Sequence, residues 1–445
     1  MATRKPFVLK ENTYYQKSLF DIKELDCEKE FWNVNETISE LAYLTHDYFR
    51  YYGKFPSKVG KMIIEELKNE KVIDPQNDFI IDNYAGSGTT LVEAKLSGFN
   101  SIGFDINPFA VLACRVKTYN YSVLELEKIW TGLRQEIVGL DSLYKDDMLN
   151  LIEVDDNVKA EIDAKTDLLM RSGDFEKWFS EDVLRQLAII KRALLNMEYT
   201  REREFFDLGF FAIIRRVSRA HDAEVRPHIN KKKRKRDAIE AYVKKISEMI
   251  QTMEQWNVAT DENVYSNAYV VSNANAEAVS DLINKEKESQ KKELGAVVSH
   301  PPYLNCFDYI PVYKLKFMWA DGFEEIFKDM TYEEIKKSEI KSYPVSSDES
   351  INKYFEHNYA VYKNTYDNLK PGGICCIVIG DCTVKKELFS VHKSFIRMME
   401  EIGFSIEKLA YRSTAYGMGR YAYNFRADYS EDKDSKQDAI IFFKK

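Results

Sequence analysis

Apolar positions follow three regimes along the chain. Residues 1–45 mix polar and aromatic side chains with weak periodicity, which predicts an arm laid on a later core. From Asp78 the pattern tightens. DFIID (78–82) predicts a buried strand, TTLVEAKLSG (89–98) a helix ending on Gly98, NSIGFD (100–105) a second strand and PFAVLACRVKT (108–118) another helix. Between about 121 and 260 the spacing becomes helical. SEDVLRQLAIIKRALLNM (180–197) starts on a capping Ser180 and aligns Val183, Leu184, Leu187, Ile190 and Leu194. REFFDLGFFAIIRRV (203–217) is apolar enough for a buried helix. DAIEAYVKKISEMIQTM (237–253) sets Ile239, Tyr242, Val243, Ile246, Met249, Ile250 and Met253 at helical spacing. Strand signals resume at AYVVS (268–272), GAVVS (295–299), GGICCIVIG (372–380) and DAIIFFKK (438–445), with LKPGG (369–373) as a helix end and tight turn. The expected fold is α/β: a Rossmann-like, doubly wound, mostly parallel sheet carrying a mostly helical inserted block.

Composition narrows the class. An apolar content of 44% without a membrane-length run predicts a soluble chain. The start, MATRKPFVLKENTYY, lacks the apolar centre of a secretory leader. Six cysteines (27, 114, 306, 375, 376, 382) form no C-x-x-C pair or metal-ligand spacing, so reduced thiols, no metal and a cytoplasmic location are expected. The net charge of −8 argues against a uniformly basic nucleic-acid coat. Residues 201–236 nevertheless hold 12 Lys or Arg against 5 Asp or Glu and end in KKKRKR. Arg215, Arg216, Arg219 and Lys231, Lys232, Lys233, Arg234, Lys235 and Arg236 are therefore candidate phosphate contacts; a solvated loop is the plain alternative.

Two motifs carry chemistry. DNYAGSGTT (82–90) leaves the first strand and enters the first helix. Gly86 and Gly88 permit a sharp turn and close ligand approach, and the following helix start offers backbone N–H groups. A P-loop would need a lysine before the Ser or Thr, and this loop has none. Asp105, seventeen residues after Gly88, ends the second strand where a carboxylate reaches ribose hydroxyls, with Ile106, Asn107 and Pro108 turning behind it. The second motif, SHPPY (299–303), closes a buried strand with two prolines, neither of which can donate an N–H.

Together, DNYAGSGTTLVEA…GFDINP and a strand ending in His-Pro-Pro-Tyr resemble the amino-methyltransferases of bacterial and phage DNA. These use S-adenosylmethionine to methylate cytosine N4 or adenine N6. The resemblance implies a class I methyltransferase core, with a cofactor-binding half (46–120), a helical insertion reading DNA (121–260) and a catalytic half (261–445), after an arm at 1–45. It assigns cofactor contact to Ala85, Gly86, Gly88, Thr89 and Thr90, to Asp105, Ile106 and Asn107, and to Asp82 near the methionine amino group. HDYFRYYGKFPSKVGKMII (46–64) resembles the family segment that closes over the methionine end, which adds Lys54, Phe55 and Pro56. Asn273 stands where members often carry an adenine-contacting Asp.

The resemblance also makes His300 and the Pro301 carbonyl acceptors for the target amine, with Pro302 holding the bend and Tyr303 stacking on a flipped base. Asp, Asn or Ser is usual at the position of His300, so it must act as a neutral imidazole. Cytosine N4 is the favoured target, because the extended PPYLN…DY context resembles members with Ser before the prolines. Adenine N6, an RNA amine and a non-catalytic nucleic-acid-binding role are the alternatives. DNA is the expected partner, in a restriction–modification or phage-defence setting with a cognate endonuclease. Cys306 is expected to pack rather than react. GMGRYAYNFRADYSEDKDSKQDAIIFF (417–443) is read as a solvated hairpin leading into the last strand, with a loop over the DNA as the alternative.

Overall fold

Strands that are apolar throughout belong in a sheet covered on both faces. Asp78–Asp82 (β2) and Ile374–Gly380 (β6) bury every residue. The computed structural model describes residues 29–32, 34, 36–37, 39–144, 156–272, 275–327, 330–340, 342–345, 347–384, 387–413 and 437–445. Lys29–Trp32 (β1), Asn100–Asp105 (β3), Ser266–Val270 (β4), Glu293–Ser299 (β5), Cys382–Val384 (β7), Glu387–Phe389 (β8), Ser405–Ser413 (β9) and Gln437–Lys444 (β10) are the other described strands. Eight form one sheet in the order β1-β9-β10-β6-β5-β2-β3-β4, while β7 and β8 make a separate hairpin. β10 runs antiparallel to both its neighbours; the other pairs are parallel. This is a Rossmann-like, doubly wound, mostly parallel sheet.

The chain winds outward from β2 in both directions, through β3 and β4 on one side and β5 and β6 on the other. The carboxyl ends of β2 and β5 therefore flank the topological switch point, where open α/β sheets take their ligands. Asp82 ends β2 and Ser299 ends β5.

Helices at 123–142, 156–171, 181–195, 201–217 and 238–259 form the block between β3 and β4. The predicted stripes at 183–194 and 239–253 are buried, apart from a half-buried Val243. Gly209 lets two of these helices approach closely, because a Cβ there would lie 2.3 Å from Ile246 Cδ1. Ser180 stands at its helix N-cap, but its hydroxyl makes no capping hydrogen bond. One apolar cluster runs from Tyr48, Phe49 and Phe109 through this block to Phe307, Trp319 and Phe327. The insertion is thus packed into the same core as the segment that follows His-Pro-Pro-Tyr. Residues 1–28 of the arm and 414–436 of the C-terminal stretch lie outside the described residues. No described helix is long and apolar enough to cross a membrane.

Candidate active site

The glycine loop takes its shape from what surrounds it. Gly86 and Gly88 have φ of +50° and +77°, left-handed values that side chains disfavour. A Cβ at Gly86 would meet the Tyr51 ring at 3.2 Å, and one at Gly88 would meet Cys114 Cα at 3.1 Å. Gly86 is therefore a close approach on the cleft side, whereas Gly88 is packed inward. Asp105 braces the loop, with Oδ2 accepting from Gly86 N and Oδ1 from Asn107 N, each at 2.8 Å. Lys117, fully buried, donates to Ser87 O at 2.6 Å. Asn107 caps the helix beginning at Pro108 by accepting from Phe109 N.

The segment before the loop forms the facing wall. Thr89 Oγ1 donates to Phe55 O at 3.0 Å, Lys54 Nζ donates to His46 O at 3.1 Å, and His46 Nε2 lies 2.6 Å from Glu93 Oε1. Tyr43 donates to the same buried Glu93 carboxylate. Burial pushes that carboxyl up to about 7 and holds His46 well below the ordinary histidine value.

These elements line a cleft. Of the predicted cofactor contacts, Lys54, Phe55, Asp82, Ala85, Gly86, Thr89, Asp105, Ile106 and Asn107 line it, and His300 and Pro302 reach the same wall. Gly88 and Thr90 do not; Thr90 is fully buried behind the loop. Asn273 lies outside the described residues. Three carboxyls share the cleft. Burial pushes Asp82 up to about 7, Asp105 up to about 6 and Glu339 up to about 7. Lys54 shares their cleft, itself lowered to about 8 by burial. Such an excess of acidic groups in a low-dielectric cavity favours a ligand carrying positive charge. A nucleoside with a sulfonium and an α-ammonium fits that charge and the braced Gly86 approach.

The second motif closes the cleft from the end of β5. Ser299 is turned inward, 2.8 Å from the Tyr362 hydroxyl, so His300 and not Ser299 faces the site. Pro302 O accepts from the Tyr354 hydroxyl at 2.8 Å, which fixes the double-proline bend. The His300 ring stacks on Phe55 at 5.0 Å, and its Nε2 lies 3.1 Å from the Tyr303 hydroxyl. Pro301 and Tyr303 are buried. A second, larger cleft lies across this wall. It shares Tyr51, Gly53, Lys54, Phe55, His300 and Tyr309 with the first and adds Pro56, Tyr303 and Cys306. Ala223 and Val225 of the inserted block complete its rim, so the basic segment reaches this opening.

Within that segment the candidates divide. Arg216, Arg219, Lys231, Lys232, Arg234, Lys235 and Arg236 are exposed. Arg215 is only 8% exposed and donates to the Val225, His221 and Glu224 carbonyls; Lys233 donates to Arg215 O, Ala220 O and Asp222. These two cations shape the loop, correcting the expectation that they face phosphate. Lys235 and Arg236 also face acidic neighbours, Asp182 and Asp222.

Several site residues were not singled out by pattern. Tyr51, Tyr309 and Glu339 line the first cleft, Lys117 braces its loop, and Glu93 braces the facing wall through His46. Glu339 accepts from the Tyr309 and Ile310 N–H groups at 2.5 and 3.3 Å, holding the extension after Tyr303 over the cleft. An isolated glutamate thirty-six residues after Tyr303 gives no local signal.

Residues 6–114 match a DNA methylase family model. The type II methyltransferase M.MjaII of Methanocaldococcus jannaschii is 28% identical over 210 residues, covering 44% of this chain and 38% of that protein. M.MvaI of Kocuria varians is 26% identical over 181 residues, covering 41% and 36%. M.BsoBI of Geobacillus stearothermophilus is 37% identical over 87 residues, covering 19% and 16%. The matches thus span well under half the length of each relative.

Proposed function

Because the chain belongs to the N4/N6 DNA amino-methyltransferase family, we propose that it methylates the exocyclic amino group of a flipped base in DNA, at a specific sequence, with cytosine N4 the favoured target. The observation that carries this is one wall shared by two clefts: His300, Lys54 and Phe55 border both the acidic, glycine-braced cavity and the larger opening beside the basic segment. Bound in the first cleft, S-adenosylmethionine supplies an electrophilic methyl group. Asp82, Asp105, Gly86 and Lys54 would hold it there.

An exocyclic amine is a weak nucleophile because its lone pair is delocalised into the ring. As that nitrogen attacks, it becomes tetrahedral and positive, and acceptors already fixed beside its N–H bonds stabilise this charge more than the ground state. The Pro301 carbonyl and a neutral His300 supply those acceptors. Tyr354 locks the bend and Phe55 backs the imidazole ring, so little reorganisation remains. A base inside a duplex cannot reach this wall, and its extrusion costs roughly a few kcal/mol. Burial against Tyr303 in the second cleft offsets part of this cost. The exposed cations of 216–236 hold the phosphates while the base is out.

The setting we propose is a restriction–modification or phage-defence system, with a cognate endonuclease reading the same sequence. The test is transfer of a labelled methyl group from S-adenosylmethionine to DNA and to tRNA, followed by nucleoside mass spectrometry. N4-methylcytosine in DNA is the expected product. N6-methyladenine would move the target base, label in tRNA alone would move the substrate class, and no label in either would overturn the activity.

A further inference from the structure

Arg50 belongs to the segment that walls both clefts, but it lines only the second, larger one. It is exposed, and among the described residues its guanidinium has no ion pair and no hydrogen bond. What it does have is a platform. Its guanidinium carbon lies 5.0 Å from the centroid of the Tyr52 ring, and that of Arg215 lies 4.8 Å from the same centroid. Tyr52 is pinned by its own N–H, which donates to the Tyr313 hydroxyl at 3.2 Å. The Tyr52 hydroxyl is buried and has no hydrogen-bond partner.

The two arginines differ in what they can still do. Arg215 has committed both terminal nitrogens to the Val225, His221 and Glu224 carbonyls, and no described carboxylate pairs with it. Its charge is therefore locked at the ring and left uncompensated. Lys316 adds a third cation, donating to Phe211 O at 2.7 Å and standing 4.6 Å from the ring of Phe49 in the cleft wall. Burial, together with the Arg215 and Arg50 charges, lowers Lys316 to about 7. Three carboxylates line this cleft. Glu36 is paired with Lys58 and Asp438 with Arg412, which leaves Asp47. The rim thus carries the opposite charge excess to the first cleft, and an anion entering among these cations is stabilised. Contact with a ring occupies none of the N–H donors of Arg50, and their fork matches two oxygens of one phosphate.

We propose that Arg50, resting on Tyr52, is a phosphate-binding residue at the mouth of the second cleft, and that it takes the DNA phosphodiester beside the extruded nucleotide. The proposal rests on the proposed methyl transfer and deepens it. A base turned in towards His300 and Tyr303, which line the same cleft, leaves the phosphates on either side of its sugar at the rim. The exposed cations of 216–236 hold duplex phosphates whether or not a base is out; Arg50 holds the one next to it. The segment 46–64 then meets the cofactor through Lys54 and Phe55 and the DNA through Arg50, along one wall.

The experiment uses duplexes that carry the methylated sequence, each with one phosphate near the target base replaced by a neutral methylphosphonate. Affinity is read by fluorescence anisotropy. Wild type should bind the duplex modified directly beside the target nucleotide about tenfold more weakly than the unmodified one. Arg50→Met should bind the unmodified duplex about tenfold more weakly and lose nothing further with that one methylphosphonate. At every other phosphate the two proteins should respond alike. Arg50→Lys keeps the charge without the fork, and should keep part of the sensitivity. Calorimetry with S-adenosylmethionine on the same preparations should give the wild-type affinity for both variants.

Losses that add at every position overturn the proposal, because Arg50 then contacts no particular phosphate. So does an Arg50→Met protein that binds the unmodified duplex as tightly as wild type, or a coupled phosphate several nucleotides from the target. A wild-type chain that methylates no DNA overturns the proposed function, and this site with it. That outcome is visible before any modified duplex is made.

Discussion

Cofactor binding should release a proton below neutral pH. Asp82 is 2% exposed at the end of β2, accepts from Tyr84 N at 2.9 Å, and burial raises its carboxyl to about 7. In the free protein at pH 6, a group with that value is about 90% protonated, falling to about a quarter at pH 7.5. A cationic ligand beside it favours the carboxylate, so binding must expel the proton. The share of the release that belongs to Asp82 should be about 0.9 protons at pH 6 and about 0.2 at pH 7.5, and affinity should rise by tenfold or more per pH unit well below pH 7. Asp105 and Glu339 share the cavity, so the measured curve will belong to the cluster. Calorimetry in buffers of different ionisation enthalpy measures the release directly. Asp82→Asn should remove the Asp82 share of the release and weaken binding. An affinity constant from pH 5.5 to 7.5, with no buffer dependence, would refute the argument that these buried carboxyls face the cofactor's positive charge. The same shifts affect folding. Their folded values lie above the unfolded ones, so they cost stability above about pH 7, and that cost is relieved as pH falls towards 4.

Further outcomes follow from particular neighbours. Gly88→Ala imposes a side chain at φ +77° and places its Cβ 3.1 Å from Cys114 Cα, so it should lower the unfolding free energy by about 2–4 kcal/mol in denaturant titrations. Reversing Lys231, Lys232 and Arg234 to glutamate should flatten the salt dependence of DNA binding by about 0.9 in log–log slope for each phosphate left without its cation, with cofactor affinity unchanged. Arg215→Ala should instead destabilise the protein by about 2–4 kcal/mol, because three carbonyls between 221 and 225 lose their donor. His300→Ala should bind cofactor yet lose most single-turnover methylation together with its acid limb; wild-type rates would remove the acceptor role.

How much of this was legible depended on whether the signal was local. β2, β3 and the helix Pro108–Thr118 have the predicted bounds, because continuous apolar runs, a glycine turn and an Asn-Pro cap act over a few residues. The edge strand β1 and strand β9 were not predicted: KEFW is short, and SIEKLAYRS mixes charges that only its neighbours β1 and β10 explain. The helix Asp348–Asn368 was likewise missed except for its end at LKPGG, since its polar residues dilute the stripe. In the site, the glycine loop, Asp105 and His-Pro-Pro-Tyr announce themselves in sequence. Glu339, Lys117 and Arg412 do not, because each reaches the site through long-range packing. Charge alone also misjudged Arg215 and Lys233: a basic run shows where cations cluster, and burial decides which of them face solvent.

The most direct measurement is single-molecule sequencing of genomic DNA from a methylation-free host expressing this chain. N4-methylcytosine recurring at one sequence in wild-type cells, and lost with His300→Ala, is the predicted result. DNA without any modified amino group, from cells that contain the folded protein, would contradict the account.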